Sequence, residues 1–220
     1  TVKGVGIDRI VVCEVSNSMN PILKMAYNLK SRKQMKYESD TIRWKNIIKD
    51  VKETVPTVKR DKNDAAVLIY SGGTTGKSKG IVLSNLCFNA LATQCYDVCP
   101  EARPGASMLS GLPIFHGFGL CVAIHAPLML GMKCILLPKI DVKKLNETIK
   151  KTKPTIVPAV PTMLKAITNN KNLGPDSFSS VKVILSGGDY LSDDLRARVL
   201  DYFRSCGSST HIRIGYGLSE

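Results

Sequence analysis

The chain has 220 residues, 31 Lys plus Arg against 18 Asp plus Glu, a net charge of +13 and 44% hydrophobic residues. That composition excludes a disordered tail, a collagen-like repeat and a coiled coil, and the length is enough to bury a core. The charge is uneven: residues 1–60 hold 13 basic and 6 acidic side chains, with Lys30, Arg32, Lys33 and Lys36 crowded together. The cluster reads as a nucleic-acid patch or as a solvated helix face. No aromatic interleaving or zinc-finger spacing accompanies it, so the solvated face is preferred and no nucleic-acid partner is expected. In this leading segment Asp8–Val15 is strand-like and Trp44–Val51 reads as helix.

From Asp61 onward, apolar runs alternate with amphipathic segments. Ala65–Tyr70 reads as a buried strand, and a glycine-rich stretch follows it. Ser84 is placed to cap a helix running to about Val98. Ser107–Leu112 is the next strand, Phe118–Leu130 the next helix, and Cys134–Leu137 a strand again. The uncharged run from Gly117 to Met132 is short of the roughly 20 residues a membrane span needs. It also contains His125 and Pro127, so a buried helix entering a strand is the reading and no membrane span is expected. Asp141 begins a helix with Val142, Leu145 and Ile149 at helical spacing. Thr155–Val157 is a short strand, Pro161 opens a helix near 162–168, and Val181–Leu185 is a strand. A capped helix over Ser192–Arg204 and a last strand, His211–Ile214, follow.

Strands and helices that alternate in this way predict an α/β fold, a mostly parallel sheet covered by helices. Ligands in such folds sit outside the carboxyl ends of the strands. The glycine-rich turns at 72–80, 187–188 and 215–217 each follow a predicted strand and are expected to gather on one edge. The seven cysteines are odd in number, form no Cys-x-x-Cys pair and lie mostly in apolar runs. This predicts reduced thiols and a cytoplasmic protein. Cys95 and Cys99 are four apart, but nothing completes a metal site around them.

Ser71-Gly-Gly-Thr-Thr-Gly-Lys-Ser-Lys-Gly80 carries the chemistry. Glycines turn backbone N–H groups toward an anion, Thr74 and Thr75 add hydroxyl donors, and Lys77 and Lys79 add charge, a combination that suits a polyphosphate. A P-loop is matched only in its second half, Gly76-Lys77-Ser78, because Ser71 stands at the first glycine position. The acidic strand end that a P-loop enzyme uses to hold Mg²⁺ is also missing after the apolar strands at 134–137 and 181–185.

The run LIYSGGTTGKSKGIVLSN resembles the phosphate loop of the adenylate-forming superfamily, which includes acyl-CoA synthetases, coumarate–CoA ligases and luciferases. Ser78 stands where that pattern often has Pro, and Lys79 is the family lysine. Leu112-Pro-Ile-Phe-His-Gly-Phe-Gly119 resembles the family's P-x-F-H segment. Ile214-Gly-Tyr-Gly-Leu-Ser-Glu220 resembles its G-Y-G-x-[ST]-E segment, and Ser186-Gly-Gly-Asp189 sits where the family has a turn beside the nucleotide base.

The resemblance implies an AMP-forming ligase. A small carboxylic acid is activated by ATP to an acyl-adenylate, and the acyl group then passes to coenzyme A. By the same resemblance Ser71, Gly72, Gly73, Thr74, Thr75, Gly76 and Lys79 hold the outer phosphates, with Lys77 either attracting the anion or merely solvated. Ser219 meets the α-phosphate and Glu220 meets Mg²⁺. Tyr216, beside Gly217, stacks on adenine opposite Gly187 and Gly188, or is a packed core tyrosine; Asp189 contacts the base edge. His116 borders the acyl pocket and thiol path, or is a histidine satisfied by backbone hydrogen bonds, and His125 is structural. Lys79, Thr75, His116 and Glu220 form the implied catalytic set. Phe115, Phe118 and Gly119 shape a pocket for an apolar acid, which points to fatty-acid metabolism.

Because the chain starts at Thr1 and stops at Glu220, inside a motif, it reads as part of the family's large N-terminal domain. Residues 1–60 are an incomplete leading segment, residues 61–220 the nucleotide- and acyl-binding α/β subdomain, and the C-terminal domain is absent. The isolated chain is then expected to be inactive. The rival readings are a P-loop NTPase or kinase and a non-catalytic nucleotide-binding module.

Overall fold

The computed structural model describes residues 6–31, 41–49, 51, 57–71, 78–137, 140–169 and 173–219. It divides into two compact units, residues 1–59 and residues 60–220. In unit 1, strand β1 (Ile10–Val12) pairs in parallel with β2 (Thr41–Arg43). Helix α1 (Pro21–Ser31) lies between them in sequence, and the short α2 (Trp44–Ile48) follows β2. The strand and the helix expected here are both present but shorter, whereas α1 and β2 had no signal that sequence reading used. Of the crowded basic residues only Lys30 is described; Arg32, Lys33 and Lys36 lie outside the described residues.

Unit 2 is built on a five-stranded sheet in which every neighbouring pair is parallel. The strands are β5 (Ser107–Ser110), β6 (Lys133–Leu136), β7 (Ile156–Ala159), β8 (Val183–Ser186) and β9 (His211–Ile214), in spatial order β6-β5-β7-β8-β9. Alternate residues of each strand serve opposite faces. Leu109, Val157 and Ile184 point into the larger core, with residues of α5 (Leu145–Thr152), α6 (Pro161–Thr168) and α7 (Asp193–Ser205). Their neighbours Met108, Ile156 and Val183 point into a second core, with Cys99, Ala123 and Met132. Both faces are therefore apolar, which is why these strands read as continuous hydrophobic runs.

The helices begin where capping chemistry puts them. The Ser84 hydroxyl accepts from the Cys87 N–H at 3.3 Å to start α3 (Asn85–Val98). Ser192 accepts from the Leu195 N–H at 3.3 Å to start α7, with Asp193 and Asp194 in its first turn favouring the helix dipole. Pro161 occupies the first turn of α6, where its missing N–H costs nothing.

Two expectations are corrected. The strand at 65–70 is not part of the parallel sheet. As β3 (Ala65–Ser71) it pairs antiparallel with β4 (Lys79–Ser84) in a separate two-stranded ribbon. So the 187–188 and 215–217 turns share the edge of the main sheet, while the 72–80 stretch belongs to the ribbon, with residues 72–77 outside the described residues. The helix expected over 118–130 is also not a plain α-helix. Phe118–His125 is π-helical and passes into a four-residue α4 (Ala126–Met129). Pro127 has no N–H to donate back along the helix, so the ordinary ladder cannot run through it.

Candidate functional site

The chain reaches β6 on one side of β5 and then returns to place β7 on the other. The strand order therefore reverses around β5, and an open α/β sheet binds ligands in the crevice at such a point, outside the carboxyl ends of its strands. Pro158, inside β7, has no N–H for a ladder. β7 pairs with β8 at four positions but with β5 at only one, Met108 with Ile156. Past Ile156 the two strands are no longer laddered.

The segments after β5, β7, β8 and β9 all leave this edge. After β5 comes the Pro113–Gly117 segment. Its backbone turns so that the His116 N–H donates to the Pro113 carbonyl at 3.2 Å and the Leu120 N–H donates to the His116 carbonyl at 2.9 Å. The Phe118 N–H donates to His116 Nδ1 at 3.1 Å. One ring nitrogen is thus satisfied by backbone, which leaves Nε2 as the donor. His116 and Phe115 are both exposed, Phe115 at 80%.

Gly187 and Gly188 follow β8. A Cβ on Gly187 would lie 3.2 Å from the Phe118 ring and 3.2 Å from the Gly215 carbonyl oxygen. Three loops therefore meet at one side-chain-free position. The Gly215 N–H donates to the Ser186 carbonyl at 2.8 Å, which fixes the loop after β9 to the loop after β8. Val160, after β7, faces Gly188 across a gap that a Cβ would close to 3.4 Å.

The remaining residues singled out by sequence are placed as follows. Tyr216 is 91% exposed, so it is not a core tyrosine. Gly217 is exposed and Ser219 half-buried on the same loop. Asp189 is exposed and accepts from the Tyr190 N–H at 2.7 Å. Ser71 and Lys79 are directly paired across the β3–β4 ribbon, at the two ends of the glycine-rich stretch. Gly72, Gly73, Thr74, Thr75, Gly76, Lys77 and Glu220 lie outside the described residues.

Three residues escaped sequence reading. Pro158 had a legible signal, a proline inside a strand with a parallel neighbour on each side. Tyr190, 79% exposed on the loop after β8, had none beyond its position. Ser186 is 1% exposed and its hydroxyl has no hydrogen-bond partner among the described residues. An orphaned buried hydroxyl at the end of a sheet strand is costly unless something bonds it.

All seven cysteines are free thiols. Cys99 is pushed up to about 11 by burial and by the carboxylate of Glu101 beside it, so it is no thiolate near neutral pH. Cys87 is pulled below its ordinary value, first by the Ser84 hydroxyl, as part of the capping turn of α3. Among the described residues no three His, Cys, Asp or Glu side chains form a metal-binding group. No described helix is long and apolar enough to cross a membrane.

His125 plays the structural part. Its ring sits 4.6 Å from the Phe88 ring and its Nε2 is 3.0 Å from Asn89 Oδ1. Burial lowers its pKa below the ordinary 6.5. On acidification the unfolded chain takes up this proton first, so the stabilisation is complete above pH 6.5 and is lost as pH falls through the folded value. The melting temperature is expected to decline on acidification through this window. A His125→Gln variant is expected to show a shallower decline, measured by melting curves at a series of pH values.

With the geometry in place, the likeness to known proteins can be read. Residues 6–220 match the family of AMP-binding enzymes. The chain belongs to that family. Among curated relatives, the long-chain-fatty-acid–CoA ligase of Bacillus subtilis is 33% identical over 168 residues, 76% of this chain and 29% of that protein. The 4-coumarate–CoA ligase-like 6 of Arabidopsis thaliana is 31% identical over 194 residues, 84% of this chain and 34% of that protein. The chain thus spans about a third of the length of the curated relatives it matches.

Among solved structures, two CoA ligases illustrate the shared fold. A long-chain-fatty-acid–CoA ligase from Archaeoglobus fulgidus superposes with a TM-score of 0.73 at 21% identity, over 96% of this chain and 43% of that one. The anthranilate–CoA ligase AuaEII, solved with anthranoyl-AMP, gives 0.73 at 21% identity, over 97% and 37%. The expected α/β fold and the resemblance drawn from the four motifs are therefore both correct.

Proposed function

We propose that this chain supplies the nucleotide- and acid-binding part of an acid–thiol ligase, which activates a small carboxylic acid with ATP and transfers the acyl group to coenzyme A. One observation carries this reading. The turn at Gly187 has no room for a Cβ between the Phe118 ring and the Gly215 carbonyl, so three motif segments converge on the edge where α/β sheets bind ligands. A flat base fits against a backbone stripped of side chains, with the exposed Tyr216 ring available for its other face and Asp189 for its edge.

In this reading the β3–β4 ribbon presents Ser71, Lys79 and the stretch from Gly72 to Gly76, with Thr74 and Thr75, to the β- and γ-phosphates. The chemistry is attack of a carboxylate oxygen on the α-phosphorus with departure of pyrophosphate. Positioning and charge neutralisation are its main needs. Lys79 balances charge on the departing pyrophosphate, and Ser219 donates to the α-phosphate. Mg²⁺, held by Glu220, would add charge neutralisation at the phosphates when bound. The exposed Phe115 and the π-helical segment from Phe118 and Gly119 line the acid side, which favours an apolar acid. In this reading His116 borders the acyl pocket and the thiol path and offers an N–H donor at Nε2.

The test is made on the longer protein that carries this chain. ATP- and acid-dependent release of pyrophosphate and AMP is expected, with thioester formation when coenzyme A is added. Release of ADP and inorganic phosphate would replace this reading with that of a P-loop NTPase or kinase. Gly187→Val places a branched side chain against the Phe118 ring and the Gly215 backbone. It is expected to lower kcat/KM for ATP by about tenfold or more, equivalent to ~1.4 kcal/mol, in steady-state pyrophosphate assays.

A further inference from the structure

Among the described strands β9 is laddered to β8 alone. A strand paired on one side takes the rest of its placement from what its side chains touch. In register Val183 lies beside His211 and Leu185 beside Arg213, and paired residues share a face. His211 and Arg213 therefore stand on the face of the second core, with Val183 and Leu185. There both meet one carboxylate. Glu101 Oε1 lies 3.6 Å from His211 Nε2, and Glu101 Oε2 lies 3.8 Å from Arg213 Nη2. The Cys99 thiol donates to the same Oε2 at 3.6 Å. Arg213 Nε is buried with no hydrogen-bond partner among the described residues, so among them Glu101 is what balances this guanidinium.

Glu101 belongs to a strap. Residues 99–106 follow α3 and lead into β5 at Ser107. Cys99, Ala102 and Ala106 are buried in the second core beside Ile156 of β7 and Val183 of β8. In the sheet β7 and β8 separate β5 from β9. The strap thus crosses the faces of two strands, tied to β9 at one end and continuous with β5 at the other. β5 leads to the Pro113–Phe118 segment and β9 to the Gly215–Ser219 segment. Half-exposed ion pairs of this length add little to stability, so placement is what the tie supplies. We propose that Glu101 is a positioning residue: through His211 and Arg213 it sets β9, and with it the nucleotide side of the site, against the acid side carried by β5. The inference rests on the ligase reading, in which a carboxylate must meet phosphorus across these two sides. A misplacement of about 1 Å in such a reaction costs up to ~100-fold in rate.

The test uses the longer protein with Glu101→Gln, which keeps the shape and removes the charge. Without substrates, amide hydrogen exchange over residues 211–215 is expected to quicken at least about threefold, and exchange over β6 to stay as it was. In pyrophosphate assays kcat is expected to fall about fivefold, with KM for ATP and for the acid within about twofold of the unmodified protein. The midpoint of urea unfolding is expected to hold. Glu147→Gln, an exposed carboxylate on α5, is the control and is expected to match the unmodified protein in every measurement. A lower midpoint with kcat intact would show a merely structural tie and overturn the proposal. Unchanged exchange over 211–215, or a loss confined to KM, would overturn it too. Failure of the ligase reading is a separate result, seen as no pyrophosphate release by the unmodified protein; it would remove the role in catalysis, while the exchange measurement reports on the tie alone.

Discussion

Replacing Gly119 with alanine is expected to destabilise unit 2 by about 3 kcal/mol, read as a lower midpoint of urea unfolding. Gly119 lies in the first turn of the π-helical segment, where that segment folds back on its own approach. A Cβ there would collide with the carbonyl oxygen of Pro113 and would stand 2.6 Å from its carbonyl carbon and 3.0 Å from the carbonyl oxygen of Leu112. These are backbone atoms just past the end of β5, so no side-chain rotation relieves the contact. The loop itself must move, and with it the His116 and Phe118 placements that depend on it. Gly117 is the internal comparison, because a Cβ there meets nothing within 4 Å. Gly117→Ala is expected to leave the midpoint almost unchanged. Equal losses at the two positions would show that the close approach at Gly119 is not what the site requires.

The second large effect lies in the core. Phe203→Ala is expected to cost about 4 kcal/mol, the range for removing a fully buried phenyl group and leaving a cavity. Phe203 is 0% exposed on the inner face of α7, and its ring lies 4.7 Å from that of Phe178, also 0% exposed. The Phe178 N–H donates to the Cys206 carbonyl at 2.9 Å, so the segment before β8 is tied to the end of α7 at the same place. Loss of the ring therefore loosens the packing that sets the direction of β8 and of the Gly187 turn. Phe203→Leu keeps most of the volume and is expected to lose under half as much, measured by the same unfolding curves.

These positions show where sequence reading succeeds. Helices with a capping residue at one end and an apolar stripe between were legible: Ser84, Pro161 and Ser192 each start the helix they were expected to start. The buried parallel strands were legible because both their faces are covered. β4 was not, since Lys79 and Gly80 open it with residues typical of a loop and Ser84 closes it with a cap. The π-helical winding was not legible either. The uncharged apolar run from Gly117 to Met132 has no periodicity that separates one winding from the other, although Pro127 marks where the ordinary ladder stops. For the site, the motif glycines and His116 could be named in advance. The gathering of the 187–188 and 215–217 turns on one edge was legible too, but the meeting of Gly187 with Phe118 was not, because it depends on strand order, and strand order is decided by packing across crossovers of dozens of residues.

Pro158 and the ribbon also bear on how the chain reaches this state. β5 meets β7 through the single pair Met108–Ile156, separated by 48 positions, and the pair Val183–His211 of β8 and β9 spans 28. The ribbon closes between Ser71 and Lys79, only 8 positions apart. Closing a short loop costs less chain entropy than closing a long one, and non-local parallel pairings form slowly. The arms that bracket the glycine-rich stretch are therefore paired locally, in a ribbon separate from the main sheet, whereas the sheet edge beside β7 takes shape only once the longest crossovers have closed. The two halves of the proposed site have different kinetic origins: one is a hairpin, the other a late product of topology.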